Sequence, residues 1–378
     1  MRKKNLTFLI LLATNLRLAF TSITPIFSNI QKSLQISSTT SSLLITLPLI
    51  MFAICSVFTD QIFRKFEFNQ TMTGLLLLLI SAIILRPYNQ ITLLIGTIII
   101  GFVLALLNVI MPSLVLNQFA KEKQKITGYY SLATSLTAAV GLLLIVPLTK
   151  YWGWQLASQL FSLPAILTLV AWFTLKSSHP AEPTFRLTFN KTVTNKFKID
   201  AHLLILIIFM GLQAFVFYGL STWLPSIFES CGATNSLIAI LMFLFQFSGL
   251  LANFIFIQIR HIKHILVLAA ASFVLGAVIL LANQVPMLLI LSAILLGLST
   301  SLIFTTTLFL LAKDNKRGAN SDPAKQASLT MSFGYALAAL APITLSCLHD
   351  ILNSWSLLIL LLLLLMLLAS YLAYRLDK

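Results

Sequence analysis

The sequence predicts an all-α membrane protein with twelve transmembrane helices in two six-helix halves. Three observations carry this: the composition, the recurrence of long apolar segments, and the placement of the basic residues. Of 378 residues, 58% are hydrophobic and 9% charged, with a mean hydropathy of +0.97. A soluble domain carries about 25% charged residues, so this chain has too few to clothe a water-facing surface. Apolar segments follow one another at approximately 6–28, 40–63, 71–86, 91–117, 126–149, 154–175, 202–228, 234–258, 264–282, 287–311, 325–348 and 354–374. Most are long enough to cross a hydrocarbon core as helices, the conformation that satisfies every backbone hydrogen bond internally.

The net charge of +15 would suggest nucleic acid in a soluble protein. Here its distribution sets orientation instead. All lysines and arginines except Arg17, Lys32, Arg86 and Lys150 fall in the loops or tails on the side of the N-terminus. That bias places both termini in the cytoplasm, as expected for a multi-pass protein of a bacterial cytoplasmic (inner) membrane, with no nucleic-acid partner.

The first segment follows Met1-Arg2-Lys3-Lys4 and imitates a signal peptide, but its length and Arg17 mark it as a retained helix. Arg17 sits about eleven residues in, on the order of 16 Å at helical rise, near mid-bilayer. A charge there costs roughly 3 kcal/mol unless it faces protein or water. Thr14, Arg17, Thr21, Thr24 and Ser28 share one helical face, which is expected to line a cavity. Snorkelling is the competing reading, opposed by the depth of the residue.

The second segment ends in Asp60, Arg64 and Lys65, either a gating latch or simple positive-inside residues. The third is nearly featureless apart from Arg86, which is expected to snorkel from its end. The fourth carries Asn108, a cavity residue or a cap for carbonyls freed by Pro112; the fifth carries Tyr130. The sixth, ninth and twelfth segments are also nearly featureless and are expected to face lipid, above all the leucine run 357–365. Between the sixth and seventh, residues 176–200 are polar, basic and contain Pro180 and Pro183. They read as a linker between halves 1–175 and 201–378.

In the second half, the seventh segment holds Gln213, Tyr218 and Trp223, and the eighth Gln246 and Asn253. The tenth holds Thr305-Thr306-Thr307, and the eleventh Tyr335 and then His349-Asp350. Gln213 and Gln246 suit either a solute site or hydrogen bonding between helices. The aromatic residues suit stacking, gating or an interfacial belt, the last most of all for Trp223. His349-Asp350 reads as a helix terminator or outer gate contact rather than a proton relay. Thr21-Ser22-Ile23-Thr24-Pro25 parallels Ser221-Thr222-Trp223-Leu224-Pro225. Gly101 parallels Gly297 and Pro147 parallels Pro342, a weak duplication with parallel halves. Arg17 then corresponds to Phe217, an asymmetry that suits one binding site better than a channel.

On these residues the chain resembles the major facilitator superfamily, and within it the cyanate and 2-nitroimidazole transporters. The resemblance rests on Asn15-Leu16-Arg17 with Thr21, Asn108 to Pro112, Thr127 to Ser131, Gly211-Leu212-Gln213 with Tyr218, and Trp223 to Pro225. Phe245-Gln246, Gly334-Tyr335 and Leu348-His349-Asp350 to Trp355 complete it. The superfamily's loop signature departs here, since Ser56 and Phe63 stand where glycines would be. The resemblance implies a secondary transporter working by alternating access on a small anionic or polarised planar solute. Arg17, Asn15, Thr21, Asn108, Tyr130, Gln213, Tyr218, Gln246 and Tyr335 are the expected solute-binding residues. Asp60, Arg64, Lys65, Trp223, His349 and Asp350 are the expected gating residues. All ten acidic residues lie at segment ends, in loops or in the tail, so no buried acid carries a coupling proton at mid-membrane. A coupling proton or counter-solute remains an open partner beside the solute and the bilayer. The three cysteines lack disulfide or metal spacing, so neither metal nor cofactor is expected, and the chain is read as a monomer. Efflux of drugs or amphipathic metabolites is the alternative. A lipid-modifying enzyme lacks a constellation beyond His349-Asp350.

Overall fold

A computed structural model describes residues 2–65, 67–119, 123–178, 201–259, 261–282, 285–314 and 323–377. The helices are α1 (Arg2–Thr21), α2 (Phe27–Leu34), α3 (Ser38–Lys65), α4 (Phe68–Leu85), α5 (Gln90–Gln118), α6 (Lys123–Leu160) and α7 (Leu163–Ser178). They continue with α8 (Ala201–Ser230), α9 (Asn235–Gln258), α10 (Ile262–Ala282), α11 (Pro286–Asp314), α12 (Pro323–Leu352) and α13 (Trp355–Asp377). Short 3-10 turns cover Thr24–Ile26 and Arg86–Tyr88, and the described residues form no strand.

Among the described residues, eleven helical stretches are long and apolar enough to span a membrane, and one of them, Leu132–Leu175, runs for 44 residues. Such a length is about twice what a bilayer requires. It divides at Gly153, whose φ of 79° and ψ of 157° interrupt α6 and are accessible to glycine without strain. The fifth span therefore ends there and the sixth begins at Trp154, giving twelve crossings.

The first span departs from the expected single helix over 6–28. It runs from Asn5 to Leu34 but breaks after Thr21, makes a 3-10 turn at Thr24–Ile26, and resumes as α2. Pro25 supplies the reason: it cannot donate to the Thr21 carbonyl, and its ring crowds that oxygen. The Thr24 hydroxyl donates to the Thr21 carbonyl instead, at 3.4 Å. Thr24 and Ser28 thus lie beyond the break, so the polar face read along one helix stops at Thr21. α2 closes with Gln35 in the left-handed region (φ 52°) and the Ile36 amide on the Gln31 carbonyl.

The chain divides into two compact units, Met1–Ile36 with Ile50–Lys191, and Ser37–Leu49 with Thr192–Lys378. In the first unit α1 packs against α5, α6 and α7. At its centre is Trp172 of α7, fully buried, which packs at a tilt on Phe8 at 5.1 Å and meets Phe68 edge-on at 6.0 Å. The Trp172 indole donates to Thr73 at 2.9 Å. The sixth span is therefore not featureless: Trp172 and Thr168 face protein. In the second unit α8 packs against α12, α13 and α11, and α11 against α9 and α10. α9 and α11 meet where a Cβ on Gly297 would overlap the Phe245 carbonyl, so only glycine allows that approach.

The first and seventh spans are the most enclosed, 67% and 61% buried, against 33% for the third. On α13, Leu357, Leu360, Leu364, Leu367 and Leu368 are exposed while Leu358, Leu362, Met366 and Ala369 are buried. An apolar exposed face of that size is what lipid covers.

Candidate functional site

Arg17 lies on α1, half-buried, four residues before the break. Its carbonyl accepts the Thr21 hydroxyl at 2.8 Å, and the Thr14 hydroxyl donates to the Leu11 carbonyl at 2.7 Å. Both threonines therefore satisfy their hydroxyls on the helix itself, as is usual in apolar surroundings. Asn15 is buried, and its amide donates to the Leu11 carbonyl at 2.8 Å and to the Thr168 hydroxyl on α7 at 2.9 Å. Its amide nitrogen is thus committed to joining α1 and α7. On the α6 side, Thr134 donates to the Ala13 carbonyl at 3.1 Å, and Ser22 to the Ala138 carbonyl at 3.4 Å. A Cβ on Gly141 would overlap the side chains of Ser22 and Leu18, so glycine there lets α6 approach the end of α1 without moving them.

Tyr130 lies one turn before Thr134 on α6 and is half-buried; Asn108 is exposed on α5. The Asn108 amide donates to the Leu104 carbonyl at 3.1 Å rather than capping the carbonyls near Pro112. Arg17 on α1 and Tyr130 on α6 are thus incompletely buried polar side chains of the first unit, on helices joined to their neighbours through Asn15, Thr134 and Ser22. The side chains of Asp60, Arg64, Lys65 and Asn253, together with most of the 176–200 linker, lie outside the described residues.

In the second unit the stretch that aligns with Arg17 in sequence is aromatic. Phe217, at the position corresponding to Arg17, meets Tyr218 edge-on at 5.1 Å and stacks on Phe245 at 6.2 Å. Tyr218 lies 6.4 Å from the Tyr335 ring of α12. Gln246, next to Phe245, is half-buried; Gln213 is buried, with its amide 3.1 Å from the Met210 sulfur.

Trp223, His349 and Asp350 come together at the far end of α8 and α12. Trp223 is buried and donates to the Pro342 carbonyl at 2.9 Å, which corrects the belt reading, since a belt residue keeps its indole at the lipid headgroups. It packs 5.8 Å from Trp355, on which the His349 ring stacks at 3.9 Å. Asp350 accepts Ser38 at 3.3 Å and Thr39 at 3.4 Å from the start of α3, and Ser346 reaches both hydroxyls at 3.4 Å.

Arg86 does not snorkel. It is 4% exposed, and its Nη1 donates to the Ala19 carbonyl at 2.7 Å. Sequence reasoning missed this, although Arg86 precedes the Asn89-Thr92 capping box that fixes the start of α5. It also missed Thr168, the polar residue of the sixth span that receives Asn15.

The sequence model of the Major Facilitator Superfamily matches residues 9–321. The chain belongs to the major facilitator superfamily. It is thus a multi-pass membrane transporter. Curated relatives include a Bacillus subtilis transporter described as uncharacterized, YycB, 29% identical over 93% of this chain and 88% of that one. The 2-nitroimidazole transporter of Escherichia coli is 28% identical over 92% of this chain and 88% of its own length. The cyanate transport protein CynX of Escherichia coli is 24% identical, covering 89% and 88%. Among solved structures, a bacterial homolog of the human lysosomal transporter Spinster, inward-facing and occupied, superposes with a TM-score of 0.72 at 13% identity. The match covers 98% of this chain and 96% of that one. The unoccupied inward-facing form gives 0.68. These two establish the shared fold.

Proposed function

We propose that this superfamily member is a secondary transporter that moves a small anionic or polarised planar solute across a bacterial cytoplasmic membrane by alternating access. Both termini are cytoplasmic in this reading. The observation that carries it is Arg17, a half-buried cation in the middle of the most enclosed span. A charge kept there against a cost of roughly 3 kcal/mol is a functional group by default. The relatives named for 2-nitroimidazole and cyanate support the size and polarity of the solute. Arg17 binds the negative end, Thr21, Tyr130 and Asn108 contribute polar contacts, and Asn15 braces the helix that presents them. Tyr218 and Tyr335 stack on a ring solute, with Gln213 and Gln246 as amide partners; this aromatic group favours nitroimidazole-like over cyanate-like solutes. Asp60, Arg64 and Lys65 gate the cytoplasmic end, and Trp223, His349 and Asp350 the opposite one.

The test is a thermal-shift and calorimetric comparison of purified protein with potassium cyanate and 2-nitroimidazole. A binder raises the melting temperature by mass action. Absence of binding to either probe, in protein that melts cooperatively, removes the proposed solute class.

A further inference from the structure

Arg86 and Gln90, on the turn between α4 and α5, hold the two helix ends of the broken first span. The Arg86 guanidinium donates to Ala19 near the end of α1, and the Gln90 Nε2 donates to the Leu34 carbonyl, the last residue of α2, at 2.7 Å. Each acceptor lies in a terminal turn, where carbonyls lack a helical partner and where a cation is favoured at α1. The turn is itself fixed from three sides. Gln159 donates to the Ile84 carbonyl at 2.8 Å, Thr92 donates to the Arg86 carbonyl at 3.4 Å, and Asn89 and Thr92 form a capping box. Gly96 of α5 makes room for it: a Cβ there would stand 3.0 Å from the Arg86 Cβ and 3.1 Å from the Ala82 carbonyl.

We propose that Arg86 is a positioning residue for Arg17: by holding the Ala19 carbonyl away from the helix ladder it fixes the break after Thr21 and the rotation of the turn that carries Arg17. The role of Arg17 in solute binding rests on the function proposed above; the clamp itself does not. With the guanidinium gone, the Ile23 amide is free to recapture the Ala19 carbonyl four residues back, and the end of α1 rewinds toward Pro25. Arg17, two residues before Ala19, turns with it. Gln90 holds only the far end of the segment, so its loss frees residues 31–36 and leaves Arg17 in place.

The experiment measures two quantities on full-length purified protein: hydrogen exchange of peptides covering 19–34, and the rate at which phenylglyoxal modifies Arg17, read by mass spectrometry. Arg86→Gln is expected to change exchange across 20–26 at least tenfold and the Arg17 rate at least fivefold. Arg86→Lys, which retains a donor, is expected to restore both to within threefold of the parent. Gly96→Ala, which keeps the guanidinium but shifts its root, is expected to move the Arg17 rate at least twofold in the same direction, and carries the test if Arg86→Gln does not fold. Gln90→Ala is expected to alter exchange at 31–36 only. An Arg17 rate within twofold of the parent in both Arg86→Gln and Gly96→Ala reduces Arg86 to a brace and overturns the proposal, whatever the exchange shows. Failure of the parent protein to bind cyanate or 2-nitroimidazole counts against the proposed function alone, since the Arg17 rate needs no solute.

Discussion

Each half carries a pentapeptide that opens on two hydroxyl residues and closes on proline, and the two fold differently. Thr21-Ser22-Ile23-Thr24-Pro25 breaks α1, whereas Ser221-Thr222-Trp223-Leu224-Pro225 lies inside α8, which runs unbroken from Ala201 to Ser230. Each proline withdraws one amide and crowds one carbonyl, a cost of about 3 kcal/mol in a helix interior. Proline alone therefore does not decide between a break and a tolerated residue; the neighbours do. At α1 a guanidinium competes for the Ala19 carbonyl and Ser22 is drawn toward α6. At α8 the Thr222 hydroxyl donates to the Tyr218 carbonyl at 2.7 Å, and the Trp223 indole anchors the helix to α12. The same asymmetry appears one turn earlier, where Arg17 in one unit corresponds to an aromatic cluster around Phe217 in the other. Within its own unit α1 thus carries a half-buried cation, and within the other α8 carries a cluster of rings.

The largest expected effect separates those walls. Arg17→Gln should weaken binding of an anionic or polarised probe by about 2–5 kcal/mol, because it removes a desolvated charge partner. Arg17→Lys should lose less, keeping charge without the planar fork. Calorimetry beside melting temperature distinguishes this from a bracing role, for which affinity in the folded fraction stays normal.

Close packing gives the next contrast. Gly297→Ala should lower stability by about 1–3 kcal/mol, because its methyl meets the Phe245 backbone. Gly141→Ala should cost less, since the atoms it meets belong to the side chains of Leu18 and Ser22, which can adjust. Melting of the two variants in one detergent checks the order.

Two hydrogen bonds test the anchoring of each unit at about 1 kcal/mol each. Asn15→Ala should loosen α1 from α7, and Trp223→Phe should free α8 from the Pro342 carbonyl while keeping most of the ring contact with Trp355. The smallest effect is expected at Pro225→Ala. It restores one helical bond in α8 and should leave transport within about twofold of the parent, whereas Pro25→Ala should alter it more. Equal responses at the two prolines would remove the distinction between the broken and the tolerated helix.

The fold was legible because it rests on segment length and polarity, which a bilayer reads almost residue by residue. Arg17 and the aromatic residues of the seventh and eleventh spans stood out in the sequence for the same reason, each an exception to an apolar background, and their part in solute binding is a proposal. Pro25 was visible, but the neighbouring contact was not, because the Ala19 carbonyl is taken by Arg86, 67 residues further along the chain. Arg86 itself was misread from its place at a segment end, where most arginines do snorkel. Asn15 was read as a solute contact since sequence shows polarity without direction; only packing reveals that its amide meets Thr168. Trp223 sits where belt residues sit, and its burial comes from Trp355 and α12, more than a hundred residues further on.

The bond from Asn15 to Thr168 spans 153 residues, and it bears on how the protein is made. At a synthesis rate of about 5–20 residues per second, the first span waits roughly 8 to 30 s in the translocation machinery before α7 exists to receive it. Throughout that interval a helix carrying an arginine and an asparagine must be kept out of bulk lipid, where Arg17 alone costs about 3 kcal/mol. Early release of the first span would leave both polar side chains facing lipid until Trp172 and Thr168 emerge and close the bundle around α1, so nascent chains that stop short of α7 are expected to be substrates for membrane quality control.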